Sequence, residues 1–351
     1  MAAEAFPYDQ ALPAQIWPRA DAQAMPDWPG AGPVFTPFIT AQTRIVSAGS
    51  CFAHSIAAYL QQKGFAYLVT ETGPPWLRPE QAQKFQYGVY SARYGPVYGP
   101  LQFWQLVQRA WGQFSPQDDC WAAGQGWVDP FRPRIQPGGF VSPEAMRLDR
   151  EHHLAAVREA FAQADLLILT LGLTECWRSC LDGAVYPQCP GKQWGVFDSE
   201  RYVFHNLSLA EIEACLSASV AFLAEINPKL RWILTLSPVP LAVTAEPKHV
   251  LEATGYSKAL LRVAIENLCR EFAQVDYFPA YELVMHDRQA AFAPDGRQVL
   301  PETVAAIMQR FENRFVREFP ALGEQVEPPG FAVEPCDEEL LLDLLEQDFG
   351  A

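Results

Sequence analysis

Along the chain, apolar and polar positions alternate between two periods. Apolar runs of strand length fall at about residues 43–48, at "FAYLVT", at 166–171 within "DLLILTLG", at 231–236 within "LRWILTLSPV", and at "VDYFPAYELV". Between them the spacing becomes helical. Over 51–63, Phe52, Ile56, Tyr59 and Leu60 share one face, and the same three-and-four spacing recurs over 101–111, 144–164, 208–227, 255–273 and 301–311. Ser208, with Glu211 three residues on, marks a capping box at one helix start. The 166–171 run is apolar throughout, which suits a strand covered on both faces. Strands alternating with long helices predict an α/β fold: a doubly wound, mostly parallel sheet.

Three regions break the alternation. Residues 1–40 are rich in Pro, Ala and Trp without a period and read as an arm over the domain surface. From about 72 to 143 the text is aromatic and turn-rich, as in "RYGPVYGP", and only 101–111 has a helical period. This stretch reads as an insertion into a domain spanning 41–322. Its Trp76, Tyr90, Tyr94 and Trp104, with Trp177 further on, suit either a pocket wall that stacks on sugar rings or ordinary core, and Gly95 and Gly99 read as turns. The tail, 323–351, holds nine acidic residues and no Lys or Arg. There Leu340, Leu341, Leu344, Leu345 and Phe349 lie near one helical face, so an acidic amphipathic helix is expected to dock on its own domain or on a protein partner.

Composition narrows the function classes. The formal net charge is −15 with few clustered cations, which argues against nucleic acid as a partner. No basic region precedes an apolar core near the N-terminus, and no apolar run is long enough to span a bilayer. The expected address is the cytoplasm, with the eight cysteines reduced. Cys176, Cys180 and Cys189 cluster without the paired CxxC spacing of a zinc site, so no metal is expected. No Walker loop, GxGxxG or HExxH is present.

In a doubly wound sheet, chemistry collects at the carboxyl ends of the strands. Three such ends carry reactive residue types: "AGSCFA" after the first strand, "LGLTECW" after 166–171, and "SPVPL", with Ser237, after 231–236. Gly49 permits a sharp turn, and Ser50 and Cys51 then stand where a helix begins. A thiol there gains from the positive helix end, and backbone N–H groups offer donors to an oxyanion. At the second end, beyond Gly172, Thr174 supplies a hydroxyl and Glu175 a carboxylate, both beside the first turn if the strands are neighbours.

These blocks resemble the bacterial GSCFA-domain family: "AGSCFA" is similar to its name-giving block, and "TLGLTE", "SPVPL" and "YSKALLRV" look like its later ones. The resemblance covers about residues 30–320. It implies kinship with the SGNH or GDSL esterases and acyltransferases, whose fold is a five-stranded parallel sheet between helices and whose characterised members hydrolyse or transfer O-acyl groups, often on carbohydrates. On that resemblance Cys51 takes the nucleophile's place, Ser50 that of the preceding aspartate, and Thr174 that of an oxyanion-hole asparagine. A turn shifted by one residue makes Ser50 the nucleophile instead.

One expected block departs from the pattern. Where an Asp-x-x-His pair should precede the last helix, the chain reads "APDGRQVLPETV", with Asp295 present and Leu300 before Pro301. A base must then come from elsewhere: from His54, one turn into the helix behind Cys51, or from His286 beside Asp287. His205, next to Asn206 in "YVFHNLSL", suits a substrate contact or a structural role, as does His249, while His152 and His153 sit on a charged helix expected to be exposed. A thiolate depends less on a base than a serine hydroxyl does. Two functions follow. The first is an esterase or O-acyltransferase working on a carbohydrate or polysaccharide precursor through a covalent acyl-enzyme, with no tightly bound cofactor and acetyl-coenzyme A as a possible acyl donor. The second is a non-catalytic protein that binds a glycan or partner and has lost the base.

Overall fold

The structure is a computed structural model that describes residues 36–191 and 193–320. Most of the arm and all of the acidic tail helix, with its leucine stripe, lie outside the described residues. In chain order the elements are β1 (Ile45–Gly49), α1 (Cys51–Gln62), α2 (Pro79–Lys84), α3 (Pro100–Ala110), β2 (Trp121–Ala123), β3 (Gly126–Val128), α4 (Pro143–Gln163), β4 (Leu166–Leu171), β5 (Glu175–Ser179), β6 (Val185–Tyr186), β7 (Tyr202–Asn206), α5 (Leu209–Ile226), β8 (Arg231–Leu236), α6 (Val250–Glu271), β9 (Val275–Phe278), α7 (Ala280–His286), α8 (Arg288–Ala291) and α9 (Pro301–Phe315).

The central sheet is parallel and four-stranded, in the order β1-β4-β8-β9. Side chains alternate across it and so divide the core in two. Val46, Ala48, Leu167, Leu169, Trp232 and Leu234 pack with apolar residues of α3, α4, α5 and α6. Ile45, Leu166, Ile168, Ile233 and Phe278 pack with α1, α7 and α9. Burial on both faces explains why β1 and β4 are apolar without alternation.

The expected strand "FAYLVT" is reduced to a single parallel bridge between Ile45 and Tyr67. Its backbone follows β1 only through Ile45 N–H to Ala66 O and Leu68 N–H to Ile45 O, after which Thr70 N–H turns to Ser91 O. The "VDYFPAYELV" run is likewise shorter as a strand, ending at Phe278. Pro279 has no N–H for the ladder, and α7 begins at the next residue. Helix α6 starts earlier than its apolar period suggests, because His249 Nδ1 caps it by accepting from Leu251 N–H. The capping box at Ser208 and Glu211 opens α5 as expected.

The insertion is tied to the domain by a buried network of charges. Asp129, fully buried, accepts from Arg132 at 2.9 Å and from Arg150 of α4 at 3.0 Å. Arg93 reaches Asp149 at 3.0 Å, and His153 Nδ1 lies 2.7 Å from Glu71. His153 is therefore buried rather than exposed: α4 is charged on this side because the insertion supplies matching charges. Tyr90, Tyr94 and Trp104 are packed among aromatic neighbours as core, whereas Trp76 is exposed.

Candidate active site

At the carboxyl edge of the sheet, β1 and β4 end side by side. Gly49 has φ +147°, and a Cβ there would lie 2.7 Å from Thr170 Cβ, so no other residue fits this turn. Ser50 follows as the N-cap of α1, its N–H donating to Thr170 O. Its side chain is buried against Gly172, where an added Cβ would lie 3.1 Å from Ser50 Cβ. Ser50 Oγ has no hydrogen-bond partner and caps nothing. Cys51, the first residue of α1, is half-buried and packs against the cluster of Tyr98, Leu173 and Leu241.

The insertion closes over these two ends by its backbone. Val97 N–H donates to Gly49 O, while Tyr98 O accepts from both Gly172 and Leu173 N–H. Gly99 then caps α3, with room for a Cβ only 3.0 Å from Leu173 O. The aromatic "VYGP" segment is thus a wall of the strand-end site, and a crevice beside it is lined by Tyr98, Gly99, Leu173, Thr174, Glu175 and Pro187.

Thr174 and Glu175 belong to a connected polar network. Thr174 Oγ1 donates to Asn206 Oδ1 at 2.6 Å and lies 2.7 Å from Ser257 Oγ. Asn206 Nδ2 donates to Glu246 at 2.8 Å, and Glu246 N–H donates to Thr244 Oγ1, which in turn donates to Glu175 at 2.7 Å. The Glu246 carboxylate only accepts, so it sets the amide orientation of Asn206, and that orientation makes Thr174 the donor. The hydroxyl expected to face an oxyanion is here given to Asn206. Burial raises the Glu175 carboxyl, although Thr244 and the Ala245 N–H offset part of this.

Glu175 opens β5, an antiparallel strand paired with β7, which places Asn206 opposite Glu175 and His205 opposite Cys176. Neither strand is visible in the apolar pattern, because β5 is only half-buried and carries Arg178 among its residues. His205 Nε2 meets Glu211 of α5 at 2.8 Å, which fixes strand to helix, whereas Asn206 reaches the site. Trp177 packs edge-on against Phe204 of β7 and against Phe197 in the loop before it. Ser237 is buried after β8, its N–H on Leu171 O and its Oγ accepting from Val239 N–H.

One further residue at these strand ends, Lys258, is marked by no strand-end motif. It is buried on α6, and its Nζ donates at 2.8 Å to Gly172 O and at 2.8 Å to Val239 O, joining the ends of β4 and β8. Ser257 and Lys258 are polar positions on the inward side of a helix whose neighbours Leu261 and Ile265 are core, which is the signal that could have found them.

The base candidates separate. His54 shares α1 with Cys51, lies 6.1 Å from the Tyr90 ring, and is held below the ordinary imidazole range by burial. His286 ends α7, which follows β9 at the opposite edge of the sheet, with β4 and β8 between it and β1. Asp295 is occupied by its own turn, its Oδ1 accepting from Arg297 and Gln298 N–H. Cys176 is pushed by burial to about 12, and no group of three or more His, Cys, Asp or Glu among the described residues is placed to hold a metal.

A parallel α/β fold with reactive residues at adjoining strand ends defines the class. The GSCFA family matches residues 44–311, and the chain belongs to that family. No curated protein matches the chain. Among solved structures, one crystal structure aligns at 13% identity over 43% of this chain and 63% of its own, just under two thirds, with a TM-score of 0.26. A carbohydrate esterase family 2 enzyme with a carbohydrate-binding domain, from Corynascus thermopiles (Myceliophthora fergusii), aligns at 14% identity over 78% of this chain and 69% of its own, with a TM-score of 0.28. Neither likeness is close enough to carry an argument.

Proposed function

We propose that the protein is an SGNH-like esterase or O-acyltransferase that forms a covalent acyl-enzyme on Cys51 and acts on a carbohydrate or polysaccharide precursor. The observation that carries this reading is the meeting of the two strand ends, with Cys51 on the first turn of α1 and Ser50 packed on Gly172. The bridge at Tyr67 lies on one side of β1 and β4 on the other, so the connections diverge at this point and open a crevice at the carboxyl edge. The N-terminal end of α1 favours negative charge there, on a sulfur or on an oxyanion. Half-buried Cys51 can meet a substrate, whereas Ser50 Oγ is enclosed and has no hydrogen-bond partner.

The acyl carbonyl is attacked by the Cys51 sulfur, the alkoxide or thiolate of the donor leaves, and the thioester is then resolved by water or by a sugar hydroxyl. His54, three residues along the same helix, is the proposed proton acceptor, since residues at that spacing are neighbours on a helix surface. An activated donor such as acetyl-coenzyme A suits the transferase form. The test is hydrolysis of an activated acetyl ester by variants. Cys51→Ala lowers the rate by about a thousandfold, while Ser50→Ala retains most of it. Equal rates in wild type and Cys51→Ala would remove the thiol from the mechanism.

A further inference from the structure

The two faces of the β5–β7 ribbon differ. One turns to α5: Cys176 and His205 stand opposite each other there, and His205 meets Glu211. Residues two apart share a face, so the other carries Glu175 and Trp177 of β5 opposite Asn206 and Phe204 of β7, a polar pair and an aromatic pair about 7 Å apart. Beyond the aromatic pair this face is closed by the insertion core around Trp121, Tyr186 and Tyr202. Trp177 and Phe204 themselves are only half-buried, and Phe197 next to them is 46% exposed. Phe197 and Phe204 meet the indole edge-on at 5.6 and 5.9 Å, which holds the Trp177 ring in one orientation. An exposed aromatic patch rimmed by fixed polar groups marks a binding surface.

The polar pair is set by the loop between β8 and α6. Thr244 Oγ1 donates to Glu175 at 2.7 Å, the Ala245 N–H donates to the same carboxylate, and Asn206 Nδ2 donates to Glu246 at 2.8 Å. These bonds orient both groups without exhausting them, because a carboxylate offers roughly four lone-pair sites and an amide nitrogen carries a second N–H. Glu175 also lines the crevice together with Tyr98 and Leu173, and both of those pack with Cys51, so the patch continues toward the strand ends. None of the described residues lining that crevice is Lys or Arg, and Lys248 is paired with Glu246 at 3.5 Å. On a chain with a net charge of −15, carboxylates at this place repel an anionic ligand.

We propose that this face of the ribbon binds a neutral oligosaccharide, with the C–H face of one sugar ring on Trp177 and its hydroxyls on the Glu175 carboxylate and the Asn206 amide. A fixed aromatic ring with a hydrogen-bond acceptor and donor beside it suits a ring that is apolar on its face and polar at its rim. The next sugar of the chain then lies in the crevice at Tyr98 and Leu173, toward Cys51. That this sugar is the one acylated rests on the function proposed above, whereas binding on the ribbon does not.

Calorimetric titration of the wild-type protein with linear hexasaccharides of glucose, mannose, galactose and N-acetylglucosamine, and with hexagalacturonate, tests the proposal. At least one neutral ligand binds about tenfold or more tighter than the acidic one, and the preference shrinks at high salt. Glu175→Gln, which keeps the shape and an acceptor for Thr244, weakens neutral binding severalfold and narrows the gap to hexagalacturonate. Trp177→Phe keeps more affinity than Trp177→Ala, with urea midpoints showing that each variant is folded. No binding of any neutral ligand, equal or tighter binding of hexagalacturonate, or affinity unchanged in folded Trp177→Ala and Glu175→Gln overturns the proposal. Acylation of Cys51 is measured separately: a protein that acylates but binds no neutral sugar has lost only the ribbon site, and one that binds but does not acylate has lost only the enzyme.

Discussion

At the scale of single residues, the strand-end turn leaves little freedom. Gly49 combines a positive φ with backbone and side-chain atoms of Thr170 where a Cβ would stand. Gly49→Ala is expected to cost about 2–4 kcal/mol of stability, read as a drop in the urea midpoint, because both strain and overlap must be relieved. Thr174→Val removes a buried hydroxyl and leaves Asn206 Oδ1 and Ser257 Oγ short of a partner. The expected loss is about 1–3 kcal/mol, and a substitution that proves neutral would mean that water replaces the hydroxyl. These residues were legible to different degrees. Gly49, Ser50 and Cys51 stand together in sequence, so their meeting needs only a strand, a turn and a helix. Thr174 was legible as a strand end, but its partners Asn206, Thr244, Glu246 and Ser257 come from three other segments, and no local spacing connects them.

Whole elements show where the apolar pattern speaks and where it is silent. Central strands and long helices bury continuous faces, so β4, β8, α5 and α6 were readable as elements from their apolar residues alone. β5 and β7 are half-buried and mixed in character, and the "FAYLVT" strand is drawn away from β1 after one bridge by a hydrogen bond no apolar pattern contains. The exposed reading of His153 failed for a related reason: α4 meets the insertion through charge, and charged positions ordinarily mean solvent. That interface has a pH signature. Burial, joined by the Arg132 charge, holds His153 down to about 4. Burial would raise Glu71, but its hydrogen bond with His153 and the nearby Arg132 and Arg93 groups outweigh this and hold it at about 2. Both groups bind protons more readily once unfolded, so both favour folding above their unfolded values and lose that contribution as acid is added. His153 accounts for a decline on the order of 3 kcal/mol between about pH 6.5 and 4, and Glu71 continues it below about pH 4.5. Urea midpoints measured across this range should fall in wild type and fall less in His153→Gln; parallel curves would show that His153 does not set the acid limb.

For the molecule as a whole, the sheet brings β1 and β4 together, the insertion lays its backbone over their ends, and α6 fastens β4 to β8 through Lys258. No helix among the described residues is long and apolar enough to cross a membrane. The account depends on this assembly placing Cys51 where an acyl group can reach it. The most direct test is to incubate the folded protein with an activated acetyl ester and, separately, with acetyl-coenzyme A, quench in acid, and map the modified peptide by mass spectrometry. An acetyl-sized increase on Cys51, formed rapidly and absent in Cys51→Ala, is the predicted result. An increase on Ser50 instead would contradict the assignment of the nucleophile, and no increase on either residue would contradict the enzymatic reading and favour a protein that binds its ligand without reacting with it.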